Sequence, residues 1–167
     1  MDSVDKVNKL SKSDFISVFG NVFEKTTWIA EKAFDFKPFE NFDKLTERFL
    51  NIFENEKKEN HLKILNFHPE LAVQKIMTID SKKEQNNAKL NQCTEEELEE
   101  FVKLNKDYKK KFNFPFIIAV SGKNKSEILD NFRKRINSES EIEFKEALKQ
   151  VKKIAKLRLE NLNIKKI

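Results

Sequence analysis

Three places in this chain put side chains that exchange protons or hold anions where a helix end or an apolar face constrains them. The first is His68, one of two histidines. It precedes Pro69, and proline suits the first turn of a helix. The pattern predicts a helix from Pro69 to about Asp80 with His68 at its N-cap. The helix dipole there favours a neutral imidazole able to exchange a proton; the alternative is a His–Pro turn without chemistry. The second place is Ser81-Lys82-Lys83-Glu84, a capping-box pattern followed by Gln85. Either Ser81 and Glu84 simply cap each other, or the helix start also offers its N–H groups to an anion. The third is Arg158. At about 100° per residue, Ala147, Leu148, Val151, Ile154, Ala155, Leu159 and Leu162 share one helix face. Lys145, Lys149, Lys152, Lys153 and Lys156 share the other, and Arg158 lies within the apolar stripe. An arginine so placed must snorkel, pair with a carboxylate, or meet a ligand anion.

Between the last two places runs Lys111-Phe112-Asn113-Phe114-Pro115-Phe116-Ile117-Ile118-Ala119-Val120. It is apolar, contains a proline and lacks helical periodicity, so it reads as extended backbone inside a helical body. Its N–H and C=O groups need partners when buried, and a small polar ligand is one candidate.

The elements that must position these residues are helices. The 167 residues hold only 2 Gly and 3 Pro, which disfavours a turn-rich β fold. Sixteen Phe, with Leu and Ile, supply the core. Caps and apolar stripes mark the helices. One follows Ser11 or Ser13, with Phe15, Val18, Phe19 and Val22 inward. Thr26 or Thr27 starts a second, and Asn41 a third that carries Phe42, Leu45, Phe49, Ile52 and Phe53 on one side. A short connecting helix over 56–66 places His61 in a charged, exposed stretch. Thr94-Glu95-Glu96-Glu97 opens a long helix with the stripe Leu98, Phe101, Asn105, Tyr108, Phe112. Gly122 marks a turn, Ser126 or Glu127 a helix start, and Ser138 or Ser140 the start of the last helix. The expectation is one all-α domain over residues 1–167, with about eight helices and one extended internal segment.

Composition also removes functions. The net charge of +5 is modest and interspersed, apart from eight basic and two acidic residues over 145–167. No nucleic-acid module accompanies that basic end. No apolar run approaches the roughly 20 residues of a membrane span. Met1 leads into polar residues, so no secretory signal is expected. The lone Cys93 cannot form an internal disulfide and suits a reducing, cytoplasmic setting; it reads as a buried or incidental thiol. There is no zinc-spaced Cys/His cluster, no Gly-rich phosphate loop and no nucleophile elbow. The ending Lys165-Lys166-Ile167 only loosely approaches a peroxisomal tripeptide.

Taken in order, several segments resemble the family of 2-oxo-4-hydroxy-4-carboxy-5-ureidoimidazoline (OHCU) decarboxylases of urate breakdown. Phe19-Gly20-Asn21-Val22-Phe23-Glu24 and Trp28-Ile29-Ala30-Glu31 resemble the family's opening. His68-Pro69-Glu70-Leu71-Ala72 is similar to its HP-[DE]-LA motif. Ser81, Glu84, Gln85, Ala88 and Leu90 match S-x-x-EQ-x-x-A-G-L. Leu104-Asn105, Tyr108 and Lys111–Ile117 resemble the KFGFPF region, and Ile154–Leu159 the closing helix. Lys89 and Asn113 stand where the family usually has glycine, Val73 where it often does, and Thr27 where proline is common.

The resemblance implies an all-α homodimer, a carboxy-lyase that converts OHCU to (S)-allantoin without metal or organic cofactor. It implies His68 as proton donor or relay and Glu84 and Arg158 as further catalytic groups. Glu84 and Gln85 would bind polar ring and ureido edges, with further contacts from Pro69, Ser81, Lys82, Lys83 and the backbone of Phe116, Ile117, Ile118, Ala119 and Val120. No nucleic acid or membrane partner is expected; a eukaryotic source would place the protein in the peroxisome. The rival is a non-enzymatic helical module that uses the basic last helix to hold an acidic partner or RNA, with binding that weakens steeply with salt.

Overall fold

The structure is a computed structural model that describes residues 3–72 and 78–164. Within them lie nine α-helices, one 3₁₀ turn and no strand: α1 (Ser3–Lys9), α2 (Lys12–Phe19), α3 (Thr27–Phe34), α4 (Phe42–Glu54), α5 (Lys58–Phe67), α6 (Ile79–Asn87), the 3₁₀ turn Leu90–Gln92, α7 (Glu95–Phe112), α8 (Lys125–Arg135) and α9 (Ser140–Ile164). The all-α expectation is met. An α-helix not expected from the sequence is α1, a seven-residue element.

Local sequence chemistry sets most helix starts. Ser11, Asn41, Thr78, Thr94 and Asn124 each accept a hydrogen bond from a backbone N–H in the first turn of the helix they precede. Such caps replace partners that the first turn lacks. Thr94 and Glu97 complete a capping box on α7. Asn124, not Ser126 or Glu127, caps α8. Gly20 ends α2, where an added Cβ would come within 2.5 Å of the Ile16 carbonyl oxygen.

The chain forms two compact units. One comprises residues 1–64 and 152–167, the other Leu65–Val151; α5 and α9 contribute residues to both. In the first, α2 packs on α3 and α3 on α4 around a cluster of phenylalanines. Phe15 and Phe19 lie 4.7 Å apart between ring centroids, Phe19 and Phe49 5.6 Å, and Phe23 and Phe53 4.9 Å. Val18 and Ile52, expected inward, are only half-buried. His61 is buried, not exposed: its Nε2 lies 2.7 Å from the Phe53 carbonyl oxygen and donates to it. The helical turn carries His61 onto the same buried side as Ile64 and Leu65, and the carbonyl satisfies the ring.

In the second unit α7 packs on α8. Phe116 stacks on Phe132 at 3.9 Å and 8°, with the Tyr108 ring edge-on to both. Residues 115–120 have no helix, turn or bend and are buried. The expected extended segment is therefore present, and the turn at 121–122 follows it, with Gly122 at φ 73°. Of the α7 stripe, Phe101, Asn105, Tyr108 and Phe112 are buried, whereas Leu98 is exposed.

Candidate active site

His68 does not cap a helix. It is a bend residue just past the end of α5, and its N–H donates to the Leu65 carbonyl at 3.2 Å. Pro69 and Glu70 are irregular, and Leu71 and Ala72 form a turn, with Ala72 left-handed at φ 58°. The helix expected from Pro69 is thus absent at its start; residues 73–77, including Val73, lie outside the described residues. The physical reason is in the partners. The Glu70 and Leu71 carbonyls and the Ala72 N–H are bonded to side chains instead of to a helical ladder. His68 thus lies at a helix C-terminus, not at the N-terminus on which the expected dipole effect depends. The imidazole is nonetheless buried, 7% exposed, as a proton-exchanging group shielded from bulk water should be.

The capping box expected at Ser81 is also displaced. Thr78 caps α6 and accepts from the Ser81 N–H at 3.2 Å, so Ser81 is the third helical residue. Glu84 is thereby released from a role as cap partner and is half-buried in mid-helix. Ser81 and Gln85 are buried one turn apart, while the Lys82 and Lys83 side chains are exposed. Gln85 then does something no spacing rule announces. Its Oε1 accepts from the Ala72 N–H and its Nε2 donates to the Glu70 carbonyl, both at 3.2 Å. One side chain fastens the segment after His68 to α6. Asn105 of α7 adds a third tie, donating from Nδ2 to the Leu71 carbonyl at 3.0 Å. The structure thus brings the His68 motif and the Glu84-Gln85 motif together.

The extended segment is held from one side. Arg135 donates from Nη1 to the Ile117 carbonyl at 2.7 Å. Gln150 accepts from the Ala119 N–H at 3.0 Å, and the Lys123 ammonium donates to the Ala119 carbonyl at 3.0 Å. Among the described residues the backbone groups of Phe116 and Ile118 have no hydrogen-bond partner, although both residues are buried. In extended chain, successive residues direct their N–H and C=O to opposite edges. The 117/119 edge is taken up by side chains; among the described residues the 116/118 edge is not.

Arg135 belongs to a buried polar cluster. Its Nε and Nη2 donate to the Glu143 Oε1 at 2.9 and 2.6 Å, and Tyr108 donates its hydroxyl to the same oxygen at 2.5 Å. Burial and the Glu143 carboxylate raise the Tyr108 phenol far above its usual range, so it remains a donor. The Arg135 guanidinium also lies over the Phe116 ring at 4.4 Å. Arg135, Glu143 and Gln150 are functional candidates beyond those expected from sequence. The available signal was an arginine on the apolar face of α8 matched by an acid on the apolar face of α9.

Arg158 belongs to the other unit. It is buried as expected, and its partners are the Glu24 carboxylate at 3.1 Å and the Asn21 carbonyl at 2.9 Å. Snorkelling is excluded: the Arg158 and Glu24 side chains are 4% and 0% exposed. Lys149, Lys153 and Lys156 are exposed as expected, and Lys152 is paired with Glu54. Among the described residues no group of three metal-ligating side chains occurs, and no helix is long and apolar enough to cross a membrane.

Residues 8–160 match the profile of the OHCU decarboxylase family. The chain is 34% identical to the 2-oxo-4-hydroxy-4-carboxy-5-ureidoimidazoline decarboxylase of Haloferax volcanii, over 94% of each chain. It is 32% identical to the mouse decarboxylase, over 97% of this chain and 93% of that one. It therefore belongs to the OHCU decarboxylase family. A uric acid degradation bifunctional protein of Bacillus sp. strain TB-90 is 38% identical; the match covers 97% of this chain but 32% of that protein. Among solved structures, an (S)-allantoin synthase superposes with a TM-score of 0.79 at 27% identity, over 97% of this chain and 54% of that one. An OHCU decarboxylase crystallised in the presence of (S)-allantoin shares the fold, with a TM-score of 0.73 at 23% identity.

Proposed function

We propose that residues 1–167 form one OHCU decarboxylase domain that converts OHCU to (S)-allantoin in urate breakdown, without metal or organic cofactor. The observation that supports this reading is the tie, through Gln85, between the segment that follows the buried His68 and α6, the helix that carries Glu84. The substrate has a carboxylate and a hydroxyl on one ring carbon, next to a ring C=N. When CO₂ leaves, its electron pair passes into that C=N, so the substrate is its own electron sink. The protein must orient the carboxylate, stabilise charge developing on the ring and deliver a proton to one face.

In this reading His68 donates or relays the proton, and Glu84 orients the ring and ureido N–H groups. Gln85 acts mainly by holding the segment after His68, since both ends of its amide are occupied there. The 116/118 backbone edge offers donors and acceptors to the amide-like edges of the substrate. Arg158 binds an anionic or carbonyl oxygen in addition to Glu24. The protein acts as a homodimer in the cytoplasm, or in the peroxisome of a eukaryote. The non-enzymatic binding module gives way to this reading because the family match spans the chain.

The test is to add the purified chain to freshly generated OHCU with a chelator present, and to follow allantoin by circular dichroism. The expected product is (S)-allantoin, formed faster than the spontaneous racemate. Racemic product at the spontaneous rate, or activity that needs an added divalent metal, refutes the proposal.

A further inference from the structure

Resting on the decarboxylase reading, we infer that Gln150 and Arg135 are positioning residues that register the extended segment, so that the 116/118 backbone edge meets the substrate. Neither residue touches the reacting atoms in this view. Both act on the opposite edge.

A straight, buried, non-helical segment has no ladder of its own. Each N–H and C=O needs an outside partner. Residues 117 and 119 find theirs in side chains that leave little freedom to slide. Arg135 grips the Ile117 carbonyl with one arm of its fork, while its other donors are fixed on Glu143. The same guanidinium covers the Phe116 ring. Gln150 accepts from the Ala119 N–H, and its own amide donates to Glu146 Oε1 at 2.8 Å, which fixes which end of the amide faces Ala119. The two anchors lie on either side of Ile118. A shift of one residue would exchange the two edges. The anchors therefore decide which amides are open to a ligand. Those at 116 and 118 have no protein partner among the described residues, the state expected of groups kept for a ligand.

The experiment uses the Glu146–Gln150 pair because its polarity can be inverted. Gln150→Met keeps the shape and removes the acceptor for the Ala119 N–H. It should raise KM for OHCU about tenfold, and weaken (S)-allantoin binding in calorimetry equally, the scale of one lost buried hydrogen bond. The kcat should fall less than about threefold, because the reacting groups are untouched. Gln150→Glu alone restores an acceptor but faces the Glu146 carboxylate, so it should recover KM only in part. Gln150→Glu combined with Glu146→Gln exchanges donor and acceptor within the pair and still presents an oxygen to Ala119. It should bring KM to within about threefold of wild type. Arg135→Lys, which cannot hold Glu143 and the Ile117 carbonyl in one planar fork, should also raise KM.

All variants are assayed at a temperature where circular dichroism shows them folded. A purely structural role would lower the melting temperature of Gln150→Met and leave KM unchanged; that result overturns the inference while the decarboxylase reading stands. So does a double variant as impaired as Gln150→Met. A wild-type chain that neither turns over OHCU nor binds (S)-allantoin overturns the underlying reading, and the inference with it.

Discussion

Replacing Arg158 separates a structural arginine from one that also serves the substrate. The guanidinium and the Glu24 carboxylate are both buried and lie 3.1 Å apart. Removing one partner of such a pair leaves the other charge desolvated and typically costs about 3–5 kcal/mol. A domain of this size has roughly 5–15 kcal/mol of stability, so Arg158→Ala should still fold. Each kcal/mol moves the midpoint by about 2–4 °C at this length, so melting should fall by about 10 °C. With some 3 kcal/mol of stability remaining, less than about 1% of molecules are unfolded at 25 °C. Unfolding then accounts for almost none of any lost activity. If Arg158 binds a substrate oxygen, kcat/KM should fall by about 10²-fold, and Arg158→Lys should do little better, because an ammonium cannot reproduce the fork. Lys153→Ala, on the exposed face of the same helix, should change neither quantity appreciably. The assay is steady-state OHCU decarboxylation at 25 °C beside thermal melts. An Arg158→Ala protein that melts about 10 °C lower yet keeps kcat/KM would show that Arg158 serves the fold and not the substrate. Equal, small effects from all three variants would refute the energetic argument too.

Three further outcomes are expected. His68→Asn should cut kcat about 10²-fold, the scale of a positioned acid or base, with the helical signal intact; near-normal turnover would leave His68 as a turn residue. Lys89 is left-handed at φ 60°, so Lys89→Gly should stabilise the fold by about 0.5–1 kcal/mol after the entropy cost of glycine, read as a rise in denaturant midpoint. A fall would mean that the lysine side chain contributes more than the backbone loses. Burial, with Glu97 adding to it and Lys125 opposing it, pushes the Cys93 thiol up. A raised thiol holds less thiolate at pH 7.5, so Cys93 should react with iodoacetamide several-fold more slowly than free cysteine. Alkylation at the free-cysteine rate would contradict that.

Local chemistry wrote much of this fold into the chain. The caps at Ser11, Asn41 and Thr94 need only neighbours in sequence, and the stripes of α4 and α7 need only helical geometry. The 115–120 segment was legible because Pro115 and an unbroken apolar run are incompatible with a helix in a chain otherwise full of helical pattern. The two glycine departures are explained on the same local terms: Lys89 and Asn113 both adopt the left-handed backbone that glycine favours. Arg158 was marked as buried by its place in a stripe, but its partner Glu24 lies far away in sequence, and no periodicity links the two.

The same distance in sequence hid the rest. Thr78 displaced Ser81 as the α6 cap because capping patterns compete, and sequence does not state which one the chain enters. His61 is buried by the surroundings it folds against, not by its charged neighbours. The His68 turn is fastened by Gln85 and Asn105, and the extended segment by Arg135 and Gln150. Each of these ties satisfies a backbone group that a helical ladder would otherwise have satisfied. Sequence by itself determined where regular structure must stop. Only tertiary structure decided which side chains take up the unpaired amides there, because those donors and acceptors come from helices that folding alone brings alongside.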